Sequence, residues 1–565
     1  MADLAVLKFH LGEHADAAFW FYRVIPFFGE AGWSLLELSM LVMYARCLKA
    51  LGRVEDYVHK ALRQLVCKAA AAERERLGCR LGKRLGGNDG GKKFPEREAI
   101  RGFLKDLLEV AAGLEKEVRI PMASLVCGMG LDGPPCYDDG QDGFALFLDM
   151  HSLLVDEFEA TSVGLRISGS AGREIWLKTS GPVVIRPGPN KVRVQSAVMM
   201  AGTFEVDQVW LRSGKMLLHY ERDASQATDK ETAVLKSPRV TLYQRTSCLD
   251  VQLMGAQDLQ LDKKKSLDLE LLTGWNDIRS CEVKVKSATG GLRLVMSEAE
   301  VIGSLQPTKS QGGGFTFGDM PANTSVRIRF PFTVEQDLLD VTVRAEVVYT
   351  TDKGTFTFFK SASVPISLAL EVNVQDIFKH EALFSRFAVS TANDSPLRLL
   401  DSELLGSDLF DSHFGQPSNQ PVLVFPNQPA SLLYKITRKP GSKLGPKVNK
   451  TLYLKLYYSV IHDEIEALFK HALTAALAST PLREFSKLVI TRVLTQVRAG
   501  LSAFDLEKAT LLSELPTSFL TCTNWEKLFA GLGTTPTSLS SFLRTWLATH
   551  PTLLSAPAIP IHHQH

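Results

Sequence analysis

The sequence predicts an α+β multidomain chain: an N-terminal α-solenoid of the tetratricopeptide kind, then immunoglobulin-like antiparallel β-sandwiches, then a C-terminal helical segment. Three observations predict it. Apolar residues recur at helical spacing up to about residue 118. From Phe144 to about His462, short runs alternate aliphatic with charged residues and are bounded by Gly, Pro, Asn and Asp. Beyond His462 the helical spacing returns.

In the first region Leu36, Met40, Met43, Tyr44, Cys47, Leu48 and Leu51 lie on one side of a helix, and Val58, Ala61, Leu62, Leu65 and Val66 on one side of the next. Gly52-Arg53 separates them, which makes a helix-turn-helix. An earlier pair is expected from Asp3 to Gly12 and from Glu13 to Ile25, with Pro26 and Gly29 breaking the pattern. The loose period makes this a solenoid fragment, and its abrupt start without a polar capping helix predicts neighbouring repeats upstream. Arg80 to Lys93 is Gly- and Lys-rich and reads as a loop, followed by a helix from Arg97 to Val118.

Gly128 to Gly143, GMGLDGPPCYDDGQDG, has the composition of a linker. Strands are expected over 163–167, 173–178, 191–198, 203–211 and 215–219, forming a first sandwich. The second opens with Leu267, Leu269 and Leu271 alternating with Asp268 and Glu270, so one face is buried and one solvated. Val283 and Val285, then Val341, Val343, Ala345 and Val347, repeat the pattern. Thr351-Asp352-Lys353-Gly354 supplies a turn. A third sandwich contains 383–389, 421–425, 431–437 and 451–460. The division is therefore 1–118 solenoid, 119–143 linker, 144–236, 237–377 and 378–461 sandwiches, 462–558 helices and 559–565 tail. In the last helical region Ile465, Leu468, Phe469, Ala472, Leu473 and Ala476 make one face, Leu488, Val489, Val493, Leu494 and Val497 another, and Asn524 or Thr523 caps a helix.

Composition narrows the function classes. The chain has 565 residues and a formal net charge of +2, which gives no polyelectrolyte surface for nucleic acid or membrane. Its eight cysteines lie far apart with no C-x-x-C pair, which reads as reduced cytosolic thiols rather than a zinc or thioredoxin site. The N-terminus lacks the cationic segment of a signal peptide. The most apolar stretch, Leu35 to Leu51, is interrupted by Glu37, Arg46 and Lys49, so membrane contact would be peripheral.

Apparent motifs do not assemble chemistry. Gly86 to Lys93, GGNDGGKK, is spaced like a phosphate-binding loop, but Lys93 stands where Ser or Thr would hold magnesium, and no strand precedes it. His380-Glu381 opens an H-E-x-x-H pattern whose second histidine is replaced by Phe384. Asp138, Asp142, Gly143 and Asp149 match parts of a calcium loop, yet Gly140 occupies its third position and the closing Glu is missing. His562, His563 and His565 sit in a frayed tail without a fixed fourth ligand, and Lys263 to Lys265 read as a solvated turn. There is no G-x-S-x-G elbow. No catalytic, cofactor-binding or metal residue is assigned. Trp275, in Thr273-Gly274-Trp275-Asn276-Asp277-Ile278, either plugs the end of a sandwich, with Asn276 and Asp277 on local backbone, or is an exposed anchor for a partner.

TGWNDI followed by GLRL, YTTDKGTF, VNVQDIFKHEALFSRF and PLRLL, with LKFHLGEHADAAFWFYRVIPFFGE at the N-terminus, resembles the TRAPP II-specific large subunit. This is the subunit-ten family of the transport protein particle, the hundred-and-thirty-kilodalton subunit class of yeast. The resemblance covers roughly residues 1–460 and matches the C-terminal half of such a subunit. It implies a non-catalytic scaffold of a tethering complex, cytoplasmic and peripheral at the late Golgi and trans-Golgi network. Its implied partners are other TRAPP subunits and, through the assembled complex, a Golgi Rab GTPase on which core subunits catalyse nucleotide exchange. It implies no cofactor and no nucleic acid. Two other readings remain open: a free-standing adaptor taking peptides along sandwich edges, and a hydrolase using a carboxylate pair on a sandwich face.

Overall fold

The structure, a computed structural model, describes residues 1–80, 102–169, 172–222, 235–236, 238–255, 265–303, 307–309, 314–335, 338, 340–405, 407–415, 421–441, 449, 451–532 and 535–554. Gly86–Lys93, Lys263, Lys264 and the tail histidines lie outside these residues. The chain divides into two compact units. One is Met1–Leu242 with Lys353–Phe358 and Ala530–Thr535; the other is Tyr243–Asp352, Phe359–Phe529 and Pro536–His565.

The first unit opens with helices Ala2–His10, His14–Glu30 and Ser34–Ala50, each packed on the next. Val54–Asp56, a π-helical stretch Tyr57–Leu62 and Arg63–Arg80 continue from the turn at Gly52-Arg53. Helical spacing selects most of the buried face: Tyr44, Cys47, Leu48, Val58, Leu62 and Leu65 are in the core, but Leu36 and Leu51, expected on the same side at the two ends of the helix, are exposed. Pro26 and Gly29 do not end their helix, contrary to the sequence expectation; it runs to Glu30. Gly29 is there for space. A Cβ on it would lie 2.7 Å from Glu37 Oε1, and Glu37 is a buried carboxylate held by Lys68 at 2.8 Å.

The helix expected to run on to Val118 stops earlier. It spans Phe103–Ala112, preceded by Gly102 at φ +93°, and Val118–Pro121 is already a strand with Val118 and Ile120 buried. Residues 126–136, expected as linker, also form a strand, paired antiparallel with Phe144–Ser152. Composition misleads here because Gly133-Pro134-Pro135 falls in a register break between Asp132 and Cys136, where proline removes no ladder bond. The sheet then runs, neighbour to neighbour, through Val118–Pro121, Met216–Glu221, Gly202–Ser213, Ser162–Gly169, Glu174–Lys178, Gly188–Ser196, Phe144–Ser152, Val126–Cys136 and Leu235–Lys236. One apolar core joins it to the helices, from Ala5 through Val126 to Leu242.

In the second unit, Asp250–Gly255, Ser266–Leu272 and Ser325–Val334 form one sheet, and Phe315–Phe317, Ser280–Ser287 and Asp340–Thr351 belong to another. Leu267, Leu269 and Leu271 are buried as alternation requires, but so is Asp268, expected on the solvated face. Arg329, directly opposite on the neighbouring strand, grips it with two bonds of 2.8 and 2.9 Å, which offsets its desolvation.

Leu370–Lys379, whose residues up to 377 were expected to close the second sandwich, instead opens the third. It pairs over its whole length with Ala382–Thr391, and Leu370 enters the third core with Phe387, Leu399 and Tyr434. That sheet continues to Ala430–Arg438 and Phe410–Phe414, and a second sheet holds Val422–Val424, Leu397–Leu405 and Tyr453–Val460. Helices Ile461–Ala478, Ser486–Gly500, Ala503–Leu512 and Thr535–Thr549 follow. Phe469, Leu473, Val489, Val493, Leu543 and Trp546 are buried among them. Asn524 is the N-cap of Trp525–Leu528, its side chain accepting from the Lys527 amide.

Candidate interaction surface

The stretch Thr273–Ile278 is a tight knot built from its own residue types. Gly274 adopts φ +59°, and a Cβ there would lie 2.3 Å from the Ser247 carbonyl. Thr273 Oγ donates to main-chain oxygen and accepts from the Thr324 amide at 2.9 Å. Asn276 donates to the Thr273 carbonyl, and Asp277 accepts from the Ala322 amide. Asn276 thus bonds to local backbone as expected, whereas Asp277 reaches across to a segment distant in sequence. Trp275 is half-buried, with the Arg245 guanidinium 4.9 Å from its ring centroid. Its indole is covered by a cation–π contact from another segment, so it is neither a core plug nor a bare anchor.

Beside this knot lies the best-formed polar cluster of the second unit. Asp250, only 4% exposed, accepts from Lys360 Nζ at 2.8 Å and Lys487 Nζ at 3.0 Å, and from the Val251 amide. Burial pushes its carboxyl up, but the two ammonium groups together outweigh burial and hold it below the usual carboxylate range. Lys487 stands at the start of helix Ser486–Gly500. The turn before it adds Phe485, whose ring lies tilted against Tyr243 with centroids 4.6 Å apart, and Glu484, 3.8 Å from Arg245. These contacts fasten the C-terminal helices to the 243–250 segment. The cluster is a structural clamp, with every charge already answered.

The third sandwich presents a different surface. Leu370–Lys379 is an edge strand, and every residue after Leu370 is exposed. Val374 is 53%, Ile377 61% and Phe378 82% exposed. The strand is joined to Ala382–Thr391 by a two-residue turn, His380-Glu381, with His380 at φ +54°. His380 is therefore a hairpin tip, and Phe384 faces Ile377 across the ladder.

The remaining motif residues do not converge. Asp138 pairs with Arg193 at 2.7 Å, Asp142 is buried, and Asp149 lies within the strand Phe144–Ser152. Among the described residues no group of His, Cys, Asp and Glu could hold a metal ion, and no helix is long and apolar enough to cross a membrane. Sequence reasoning missed the Asp250 clamp, since nothing local marks residues 250, 360 and 487 as neighbours. It also missed the edge strand, although a signal was there: consecutive Ile377 and Phe378 must place an apolar residue on each face.

Sandwiches with tied-down loops, a charge-clamped helix bundle and a long bare edge define a multidomain framework protein. Comparison with known families gives it a place. Residues 118–243 match the TRS130-like immunoglobulin-like domain, residues 463–558 the TRS130-like four helical bundle domain, and residues 246–365 a domain of unknown function. Together the two TRS130-like domains indicate a protein of the TRS130 family, the large subunits of TRAPP II. The bundle match extends the likeness beyond residue 460, where the sequence motifs stopped.

No curated protein matches the chain in sequence. Among solved structures it is similar to a collagen-binding subdomain of the Enterococcus faecalis surface protein ACE, at 11% identity over 20% of this chain and 95% of that one, TM-score 0.16. The collagen adhesin of Staphylococcus aureus is 11% identical over 44% of this chain and 98% of that one, TM-score 0.15. A Salmonella alpha-2-macroglobulin mutant is 9% identical over 59% of this chain and 31% of that one, TM-score 0.15. Scores this low carry no argument.

Proposed function

We propose that this chain is a scaffold subunit of the TRAPP II tethering complex that supports guanine nucleotide exchange on a Golgi Rab GTPase without supplying a catalytic group. It works in the cytoplasm, peripherally at the late Golgi and trans-Golgi network, and reaches membrane and GTPase through the other TRAPP subunits. The observation that carries this reading is the presence of both TRS130-like modules, sandwich and helix bundle, in one chain. The N-terminal helices serve as the end of an α-solenoid, and the three sandwiches, over about 118–242, 250–365 and 370–460, are spacers and docking faces.

The test is nucleotide release from a Golgi Rab, measured with the TRAPP core subunits alone, with the core plus this chain, and with this chain alone. Faster or more selective release only when core and chain are combined is expected. Robust release by the chain alone, or no association with the core, refutes the proposal.

A further inference from the structure

We propose that the edge strand Leu370–Lys379 is a self-pairing surface. Two copies of this chain add to each other there as antiparallel strands, with Glu371 of each copy opposite Lys379 of the other. This goes beyond the TRAPP II reading and does not depend on it.

The strand ends its sheet. Ten residue pairs, Leu370 with Thr391 through Lys379 with Ala382, bind it on one side, and among the described residues no strand binds the other. A row of amides and carbonyls is left for an added strand. The side chains favour one too. Val372, Val374, Asp376 and Phe378 share the face of Val389, Phe387, Ser385 and Leu383, the face that carries the core at Phe387 and Val389. Apolar groups therefore run from the core out onto the bare edge.

Natural sheet edges are blunted by charge, especially charge pointing inward. The inward charge here is Asp376, and its carboxylate is already engaged by the Ser385 hydroxyl at 2.6 Å. The other two charges, Glu371 and Lys379, are exposed, opposite in sign and at opposite ends. That arrangement is self-complementary under a two-fold axis.

Register separates the possible pairings. An antiparallel pair about a two-fold axis through the sheet keeps like faces together, so only alternate registers are allowed. Centring on Asp376 sets two carboxylates face to face. Centring on Val374 sets Val372 against Asp376 and Glu371 against Ile377. Centring on Gln375 sets Glu371 against Lys379, Val372 against Phe378 and Val374 against Asp376, each twice, and leaves Gln375 against its own copy. What separates it from the Val374 register is the answered end charges, since both set a valine against Asp376. The last register satisfies both charges and covers Phe378. A foreign strand would need opposite end charges in this same order, and the second copy supplies them by symmetry.

The test uses the full chain in analytical ultracentrifugation over a concentration series, with parallel oxidative cross-linking. A concentration-dependent dimer is expected, with Gln375→Cys giving a disulfide-linked dimer whose bridge maps to residue 375. Glu371→Lys or Lys379→Glu alone places like charges opposite each other at two sites, and weakens the dimer by about 10- to 30-fold. The double variant Glu371→Lys/Lys379→Glu restores it, which a merely structural defect would not allow. These positions are exposed, and unchanged circular dichroism checks the fold. A monomer throughout, charge variants without effect, or cross-linking through Val374→Cys instead of Gln375→Cys overturns the proposal. So does a chain that stays monomeric while another TRAPP subunit protects this strand from hydrogen exchange.

Discussion

Removing the Asp250 carboxylate tests the clamp that holds the C-terminal helices. Asp250→Ala deletes two charge-assisted bonds, of 2.8 and 3.0 Å, and leaves Lys360 and Lys487 facing each other. Each such bond contributes roughly 1.5–3 kcal/mol when the acceptor is buried. Both lysine side chains are about a third exposed and can turn toward water, which lowers the loss to about 2–4 kcal/mol. Lys487→Met removes one arm and leaves the other, and costs about 1 kcal/mol.

A chain of several domains has no single unfolding free energy, so the assay is hydrogen exchange resolved by peptide. Protection over 243–255 and 483–500 falls by about 30- to 1,000-fold in Asp250→Ala, at roughly 1.4 kcal/mol per decade. The double variant costs less than the sum of the single ones, because they share a bond. The pH dependence has a definite sign. The folded carboxyl lies below its unfolded value, so it binds protons less readily than the unfolded chain. Its stabilisation is therefore full above the unfolded value of about 4 and is lost as pH falls through the folded one. Additive variants, or equal protection loss in the 382–391 hairpin, would refute the clamp.

Three further outcomes follow from the same structure. Gly274→Ala forces a side chain into φ +59° and against the Ser247 carbonyl, and lowers protection of the peptides over 267–278 and 243–255 by about 2–4 kcal/mol in hydrogen exchange. Ser502 and Asp505 cap helix Ala503–Leu512 reciprocally, so Ser502→Ala frays that helix by about 1 kcal/mol, seen as faster exchange of its first-turn amides. Burial, with Glu282 adding to it, pushes the Cys281 thiol up to about 12. At neutral pH iodoacetamide therefore labels exposed Cys522 in the native chain and reaches Cys281 only in denaturant, read by peptide mass spectrometry.

Periodicity was enough where one face of an element meets the core and the other meets water. Val341 to Val347 and Ile465 to Leu473 show it: burial follows the spacing because a strand repeats every two residues and a helix every 3.6. Composition failed where a rare residue was placed for space or at an irregularity. Pro134 sits in a ladder break, and Gly29 makes room for the Glu37 carboxylate.

The chain's own order of residues determined most of its element types and its likeness to the TRS130 family, because both depend on neighbours along the backbone. Tertiary structure alone decided that Asp250 meets Lys360 and Lys487. It alone decided that Asp268 is buried under Arg329 and that Leu370–Lys379 is an edge rather than an interior strand. Charge pairing and edge exposure depend on which distant segments fold against each other, and local periodicity holds no record of that.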